Sequence, residues 1–346
     1  MRKSLFFVVS LGMVVLGLTA CHNNPPKDNP GNKEQVEEVD SARDPLALLN
    51  DSIALDENRA DLYLKRAYVY MEREQVGLAM VDVNHAIQLN PSNVDAYLLL
   101  SDIYYLLGDE ANITSALNKA LEVDPYDARP MVKLAELNLM QQNYNLCFGY
   151  IDNALKVSSY NPKAYFVRGM AYMAKQDTVS AMKNFMIARE QDATFLNPQR
   201  EICEIYRAQN NPLTEDFMRS MLANFPDQPM VRYDLALYIQ DHGHPEEALA
   251  HYDTLLMLQP TNSRLLFNKG YVYFVYLGEN EQALDYFNQA LQSDPTYADA
   301  LYNKGHVYEQ MGDYVQAGSI YKQVLQQEPG YSLAVAGMNR VSNQVE

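Results

Sequence analysis

Cysteine is scarce in this chain, with three in 346 residues, and positive charge is short, with 27 lysines and arginines against 44 aspartates and glutamates. The first shortage leaves little for disulfides. The second, a net charge of −17, argues against nucleic acid as a partner, because phosphate backbones are gripped by basic surfaces. Beyond Leu18 there is no apolar run long enough to span a bilayer. Nucleophile elbows, phosphate-binding glycine loops and two-histidine metalloprotease helices are also missing. The sequence therefore presents no convergent catalytic set, and neither an enzyme, a cofactor nor a metal is expected.

What is present is repetition. Small side chains at Ala67, Ser101, Ala135, Gly169 and Cys203 recur every 34 residues and continue as Ala236, Gly270 and Gly305 with one-residue slips. Three residues after each stands Tyr70, Tyr104, Asn138, Tyr172, Tyr206, Ile239, Tyr273 or Tyr308, and further alanine tracks keep the same phase. Pro91, Pro125, Pro226, Pro260, Pro295 and Pro329 close most units, since proline removes a donor and disfavours helix before it. Inside a unit, Tyr97, Leu100, Tyr104 and Leu107, then Ile113, Leu117, Ala120 and Leu121, follow helical spacing on either side of Gly108 and Asp109. Each unit reads as a helix, a tight turn and a second helix. A hairpin this short cannot bury its apolar face alone, so the copies must stack, with small residues where helices approach closest.

The stretches "LLFNKGYVYFVYLGENEQALDYFNQALQSDP" and "ALYNKGHVYEQMGDYVQAGSIYKQVLQQEP" resemble the tetratricopeptide repeat family. The resemblance spans 60–331 and implies an all-α fold: a right-handed α-solenoid of about eight 34-residue helix-turn-helix repeats. The fifth unit, 196–228, is the weakest; it has lost a residue and carries Glu215 where alanine is expected. Asp44-Pro45 reads as an N-cap and first helical residue, so 43–59 forms an N-terminal capping helix and 332–346 a C-terminal one with one wet face.

The N-terminus carries an address. Arg2 and Lys3, an apolar run to Leu18 and then Leu18-Thr19-Ala20-Cys21 make 1–20 a signal peptide whose end resembles a bacterial lipoprotein cleavage box. Lipidation is assigned to Cys21. Cleavage removes two positive charges, so −17 becomes −19. His22 in place of Asp points to the outer membrane, and 21–42, rich in Asn, Pro, Lys and Glu, reads as a disordered tether reaching roughly 25 Å. The membrane is thus a partner through the lipid on Cys21 alone.

Cys147 and Cys203 occupy small-residue tracks two stacking steps apart, so they are expected as buried, unbridged thiols. His242, His244 and His251 form the only histidine cluster, but Gly243 and Pro245 place it at an exposed turn. Glu37-Glu38-Val39-Asp40 resembles a chaperone-tail peptide yet lacks a free C-terminal carboxylate, and the carboxylate-clamp pattern of the family is not reproduced.

In this family the first helices line a concave groove. By phase the groove residues here are Tyr68, Tyr105, Phe166, Tyr233, Phe267, Asn268, Tyr271, Phe274, Tyr302 and Asn303. Aromatic side chains offer large contact area at few rotatable bonds, suited to an extended peptide or amphipathic helix. Asn268 and Asn303 match positions at which related proteins grip a peptide backbone. The competing reading is that these rings only fill space between helices. The expected function is a lipid-anchored scaffold of the bacterial cell envelope that binds other envelope proteins or peptides. The alternatives are a fixed structural subunit of an envelope assembly or secretion complex, and a glycan-binding protein or enzyme.

Overall fold

The computed structural model describes residues 44–345. The signal peptide, Cys21 and the tether assigned from sequence lie outside the described residues. α1 (Pro45–Leu55) precedes eight hairpins: α2 (Ala60–Glu72) with α3 (Val76–Leu89), α4 (Val94–Leu107) with α5 (Glu110–Val123), α6 (Ala128–Met140) with α7 (Tyr144–Val157), and α8 (Pro162–Ala174) with α9 (Thr178–Gln191). They continue with α10 (Leu196–Ala208) and α11 (Thr214–Asn224), α12 (Pro229–Asp241) and α13 (Pro245–Leu258), α14 (Ser263–Tyr271) and α15 (Asn280–Ser293), and α16 (Ala298–Gln310) and α17 (Tyr314–Gln327). α18 (Ser332–Val345) closes the series, and no strand occurs among the described residues.

The turn inside each hairpin has one construction. A residue in the left-handed region stands at Glu74, Gly108, Gln142, Gln176, Asn210, Gly243, Gly278 and Gly312. The N–H of the following residue donates back to the carbonyl of Tyr70, Tyr104, Asn138, Tyr172, Tyr206, Ile239, Tyr273 or Tyr308, at 2.8–3.0 Å. This closure satisfies carbonyls orphaned at the end of each first helix. The tyrosine track of the sequence therefore marks a backbone acceptor as well as a side chain.

The small-residue tracks lie where the paired helices touch. Ala67, Ala135 and Ala236 are fully buried, as are Ala79, Cys147, Ala181, Ala248, Ala283 and Ala317. At Gly270, an added Cβ would stand 2.8 Å from the Phe287 ring. Each helix packs on its neighbours in chain order, with α6 reaching α8 and α16 reaching α18 across one intervening helix. The result is an all-α solenoid whose buried residues form successive clusters linked by shared half-buried side chains such as Tyr104, Phe166 and Phe217. Cys147 and Cys203 are buried and unbridged, with burial pushing their thiols up to about 11 and about 12.

Both one-residue slips have a structural address. The lost residue falls in the fifth turn: in the other units the buried position of the second helix, most often alanine, follows the left-handed residue by five, whereas here Thr214 follows Asn210 by four. Thr214, 1% exposed, takes the alanine place. This corrects the assignment of Glu215, which turns outward and accepts from Arg219 Nε at 3.0 Å. α11 is in consequence 11 residues long where the other second helices have 14, and α10 and α11 touch less than the helices of the other hairpins. The gained residue is absorbed in the seventh unit, where Val272–Leu277 forms a π-helical turn continuing α14.

At the N-terminal end, Asp44 accepts from the Leu46 N–H and Pro45 opens α1, which buries Ile53 against the first hairpin. At the other end α18 buries Ala334 and Val341, while Leu333 and Val335 face out. The wet face thus includes two of its larger apolar residues, while Gly337 packs closely on the Tyr321 ring.

Candidate functional site

Successive first helices bond to one another directly and share one face of the stack, which the family resemblance makes the inner face. In the N-terminal half these bonds are ionic. Arg129 Nη1 donates to Asp95 at 2.6 Å, Lys133 bonds Asp102, and Lys163 lies 3.1 Å from Glu136. Tyr68 and Tyr105 are exposed beside this ladder, and burial with the carboxylates of Asp95 and Asp102 raises the Tyr68 phenol. Phe166 is half-buried between Phe185 and Phe195. In the fifth unit Arg207 donates to Glu204 at 2.9 Å, while burial raises the carboxyls of Glu201 and Asp234, with Arg200 opposing.

The C-terminal half of the inner face is aromatic. Phe267 lies 5.1 Å from Tyr297 and 6.1 Å from Tyr271, and Tyr271 meets Tyr276 edge-on at 6.1 Å. Tyr302 packs against His306 and Tyr331. Tyr233 accepts from Asn268 Nδ2 at 3.2 Å. The π-helical turn carries Val275 and Tyr276 to the surface, 47% and 38% exposed, and Tyr276 Oη donates to Asp241 at 2.6 Å. Tyr331 likewise donates to Asp299. Burial pushes the Tyr297 phenol up to about 12. Beside Asp241, the shortened fifth turn leaves a cleft of about 590 Å³ bordered by Arg207, Asn210, Thr214, Tyr238 and His242.

Of the ten groove residues expected from sequence, Tyr233, Phe267 and Tyr271 are thus brought into one half-buried surface, and Tyr68, Tyr105 and Phe166 sit in the ionic half. Three others require correction as reachable side chains. Asn268, Phe274 and Tyr302 are 7–8% exposed and packed between helices. Asn268 spends a donor on Tyr233, and Phe274 stands edge-on to His306. Asn303 is half-buried and returns its amide N–H to the Asp299 carbonyl of its own helix, at 2.8 Å. Tyr276, Tyr297, Tyr331 and Asp241 were missed; the 35-residue step from Gly270 to Gly305 was the available signal for Tyr276.

The histidines diverge. His242 stacks on Tyr238 at 3.9 Å, His244 approaches Glu215 and His251 approaches Glu247 and Arg232. Among the described residues no three His, Cys, Asp or Glu side chains converge to hold a metal ion, and no helix is long and apolar enough to cross a membrane.

His306 gives the stability of this end of the stack a pH dependence. Burial, helped by Arg340 and opposed by Glu309, holds its pKa below the ordinary 6.5. A lowered imidazole pKa favours the neutral ring in the folded state, so its stabilisation is complete above 6.5 and is lost as pH falls through the folded value. Replacing His306 by Gln is expected to flatten the fall in unfolding temperature between about pH 7 and pH 5. An unchanged pH profile in calorimetry would contradict this.

Two family models described as tetratricopeptide repeat match residues 94–127 and 274–340. No curated protein matches the chain. Among solved structures, the C-terminal part of a TPR repeat-containing protein from Cytophaga hutchinsonii superposes with a TM-score of 0.58 at 17% identity, over 69% of this chain and 98% of that one. The APC/C hetero-tetramer Cut9-Hcn1 gives 0.49 at 17%, over 86% of this chain; the chain spans 58% of that protein's length. YrrB, described as a TPR protein with an unusual peptide-binding site, gives 0.37 at 17% over 53% of this chain and 95% of its own. The likeness to the Cytophaga hutchinsonii protein shows the fold, a helical solenoid, and the two matched segments are similar to tetratricopeptide repeats.

Proposed function

We propose that this chain is a non-enzymatic scaffold, anchored in the bacterial envelope by a lipid on Cys21, that captures partner proteins on the inner face of its C-terminal units. The observation that carries the reading is the connected aromatic surface of Tyr297, Phe267, Tyr271 and Tyr276, with Tyr233 beside Tyr297. Rigid rings clustered on a concave surface supply the contact area that dominates protein interfaces. Tetratricopeptide repeats, matched in two segments, are interaction modules, which supports protein partners over a chemical substrate. The anchor rests on Leu18-Thr19-Ala20-Cys21 and the apolar run before it.

Two substitutions test the two parts separately. Cys21→Ser is expected to move the protein from the membrane to the soluble fraction. Tyr271→Ala is expected to abolish co-purification of partners after crosslinking in cells while the unfolding temperature changes little. Retained membrane attachment with acylation would reject the anchor, and retained partners would reject the surface.

A further inference from the structure

Although Glu309 of α16 pairs with Arg340 of α18, two other carboxylates of the aromatic half are held differently from those of the N-terminal units. In the first four units Asp95, Asp102 and Glu136 each pair with a lysine or arginine of the next first helix. Asp241 and Asp299 instead accept from tyrosines, Tyr276 and Tyr331. A carboxylate that accepts one neutral hydroxyl keeps its charge and most of its acceptor capacity.

Asp241 is exposed, and its surroundings suit a long cationic side chain. Tyr276 and Tyr271 form a corner on one side, their planes 69° apart. The cleft of the shortened fifth turn opens on the other. The basic side chains that border this cleft are engaged: Arg207 is held by Glu204, and the His242 Nδ1 bonds the Tyr238 carbonyl at 2.7 Å while its ring stacks on Tyr238. Arg264 acts at Tyr297, toward the Asp299 end. The π-helical turn is what brings Tyr276 level with Asp241, and such turns recur at functional sites.

Resting on the proposed binding surface, we infer that its occupant is an extended apolar segment bearing lysine or arginine, with one cation seated on Asp241 against Tyr271 and Tyr276. A carboxylate and ring faces together attract a cation more than either alone. The net charge of −17 favours the same class of partner over an acidic one.

The test uses the full chain in detergent and three labelled peptides of equal length, built from repeating Leu-Lys-Ser, Leu-Gln-Ser or Leu-Glu-Ser, followed by fluorescence anisotropy. The lysine peptide is expected to bind tightest and the glutamate peptide weakest. Asp241→Asn is expected to weaken the lysine peptide by about three- to tenfold and to leave the glutamine peptide unchanged. Asp285→Asn, which removes the same charge from an exposed position on α15, is expected to leave all three unchanged. If the glutamine peptide binds as well as the lysine peptide, or the two Asp variants act alike, the cation inference falls while sensitivity to Tyr271→Ala preserves the surface. If no peptide binds in a way that Tyr271→Ala abolishes, the surface falls with it.

Discussion

Gly169→Leu is expected to lower the midpoint of thermal unfolding by several degrees and to broaden the transition. A Cβ at Gly169 would stand 2.5 and 2.6 Å from Cε1 and Cδ1 of Phe185. Phe185 is fully buried and its ring packs against Phe166, so it has nowhere to retreat. Overpacking of this kind costs about 1–3 kcal/mol or more. Because each unit draws its stability from its neighbours, the cost falls on the α8–α9 hairpin and the two units beside it, which are expected to melt ahead of the remainder. Gly149, on an exposed part of α7, has nothing within 4 Å of an added Cβ. Gly149→Ala is therefore the control and is expected to leave the circular dichroism melt unchanged or slightly raised. Equal behaviour of the two variants would overturn the register of the small-residue track.

The second large effect is at the C-terminal end. Tyr321 is fully buried, and an added Cβ at Gly305 or Gly337 would meet its ring at 2.9 and 2.5 Å, so two glycines on different helices make room for it. Its hydroxyl donates to Glu309 at 2.5 Å, and Glu309 in turn accepts from Arg340 Nε at 2.6 Å. One side chain thus joins α16, α17 and α18. Tyr321→Ala is expected to cost about 3–5 kcal/mol and to release α18. Fast amide exchange across Ser332–Val345 checks the release. Tyr321→Phe keeps the packing and loses only the hydroxyl bond, so it is expected to cost about 1 kcal/mol. Slow exchange in α18 of the alanine variant would contradict the role of this ring.

The fold was legible because its cause is periodic. Helix hairpins that must stack impose small residues at every close approach, and Ala67, Gly169 and Gly305 recur for that reason. Two features escaped the period. The place of Thr214 depends on which residue the fifth turn omits, and spacing alone assigned that place to Glu215. The π-helical turn at Val272–Leu277 resolves a one-residue excess that the sequence displays without saying where it is spent.

The proposed binding surface was less legible, since an aromatic residue at a first-helix position has two fates. Phe274 and Tyr302 turn into the packing between units, whereas Tyr271 and Tyr276 remain at the surface. The difference is set by a helical offset of about 100° per residue, and the phase shift within the π-helical turn is of that order. Asn268 shows the same limit: its spacing matches a peptide-gripping amide, but a neighbouring tyrosine hydroxyl consumes its donor.

Incorporating a photo-crosslinking amino acid in place of Tyr271, and separately in place of Val179 on the outward side of α9, and irradiating intact cells tests the central claim most directly. Tyr271 stands within the aromatic inner face, and Val179 is 82% exposed. The account predicts discrete protein adducts from position 271 and none in common from position 179. The same adducts from both positions, or adducts from 179 alone, would contradict it.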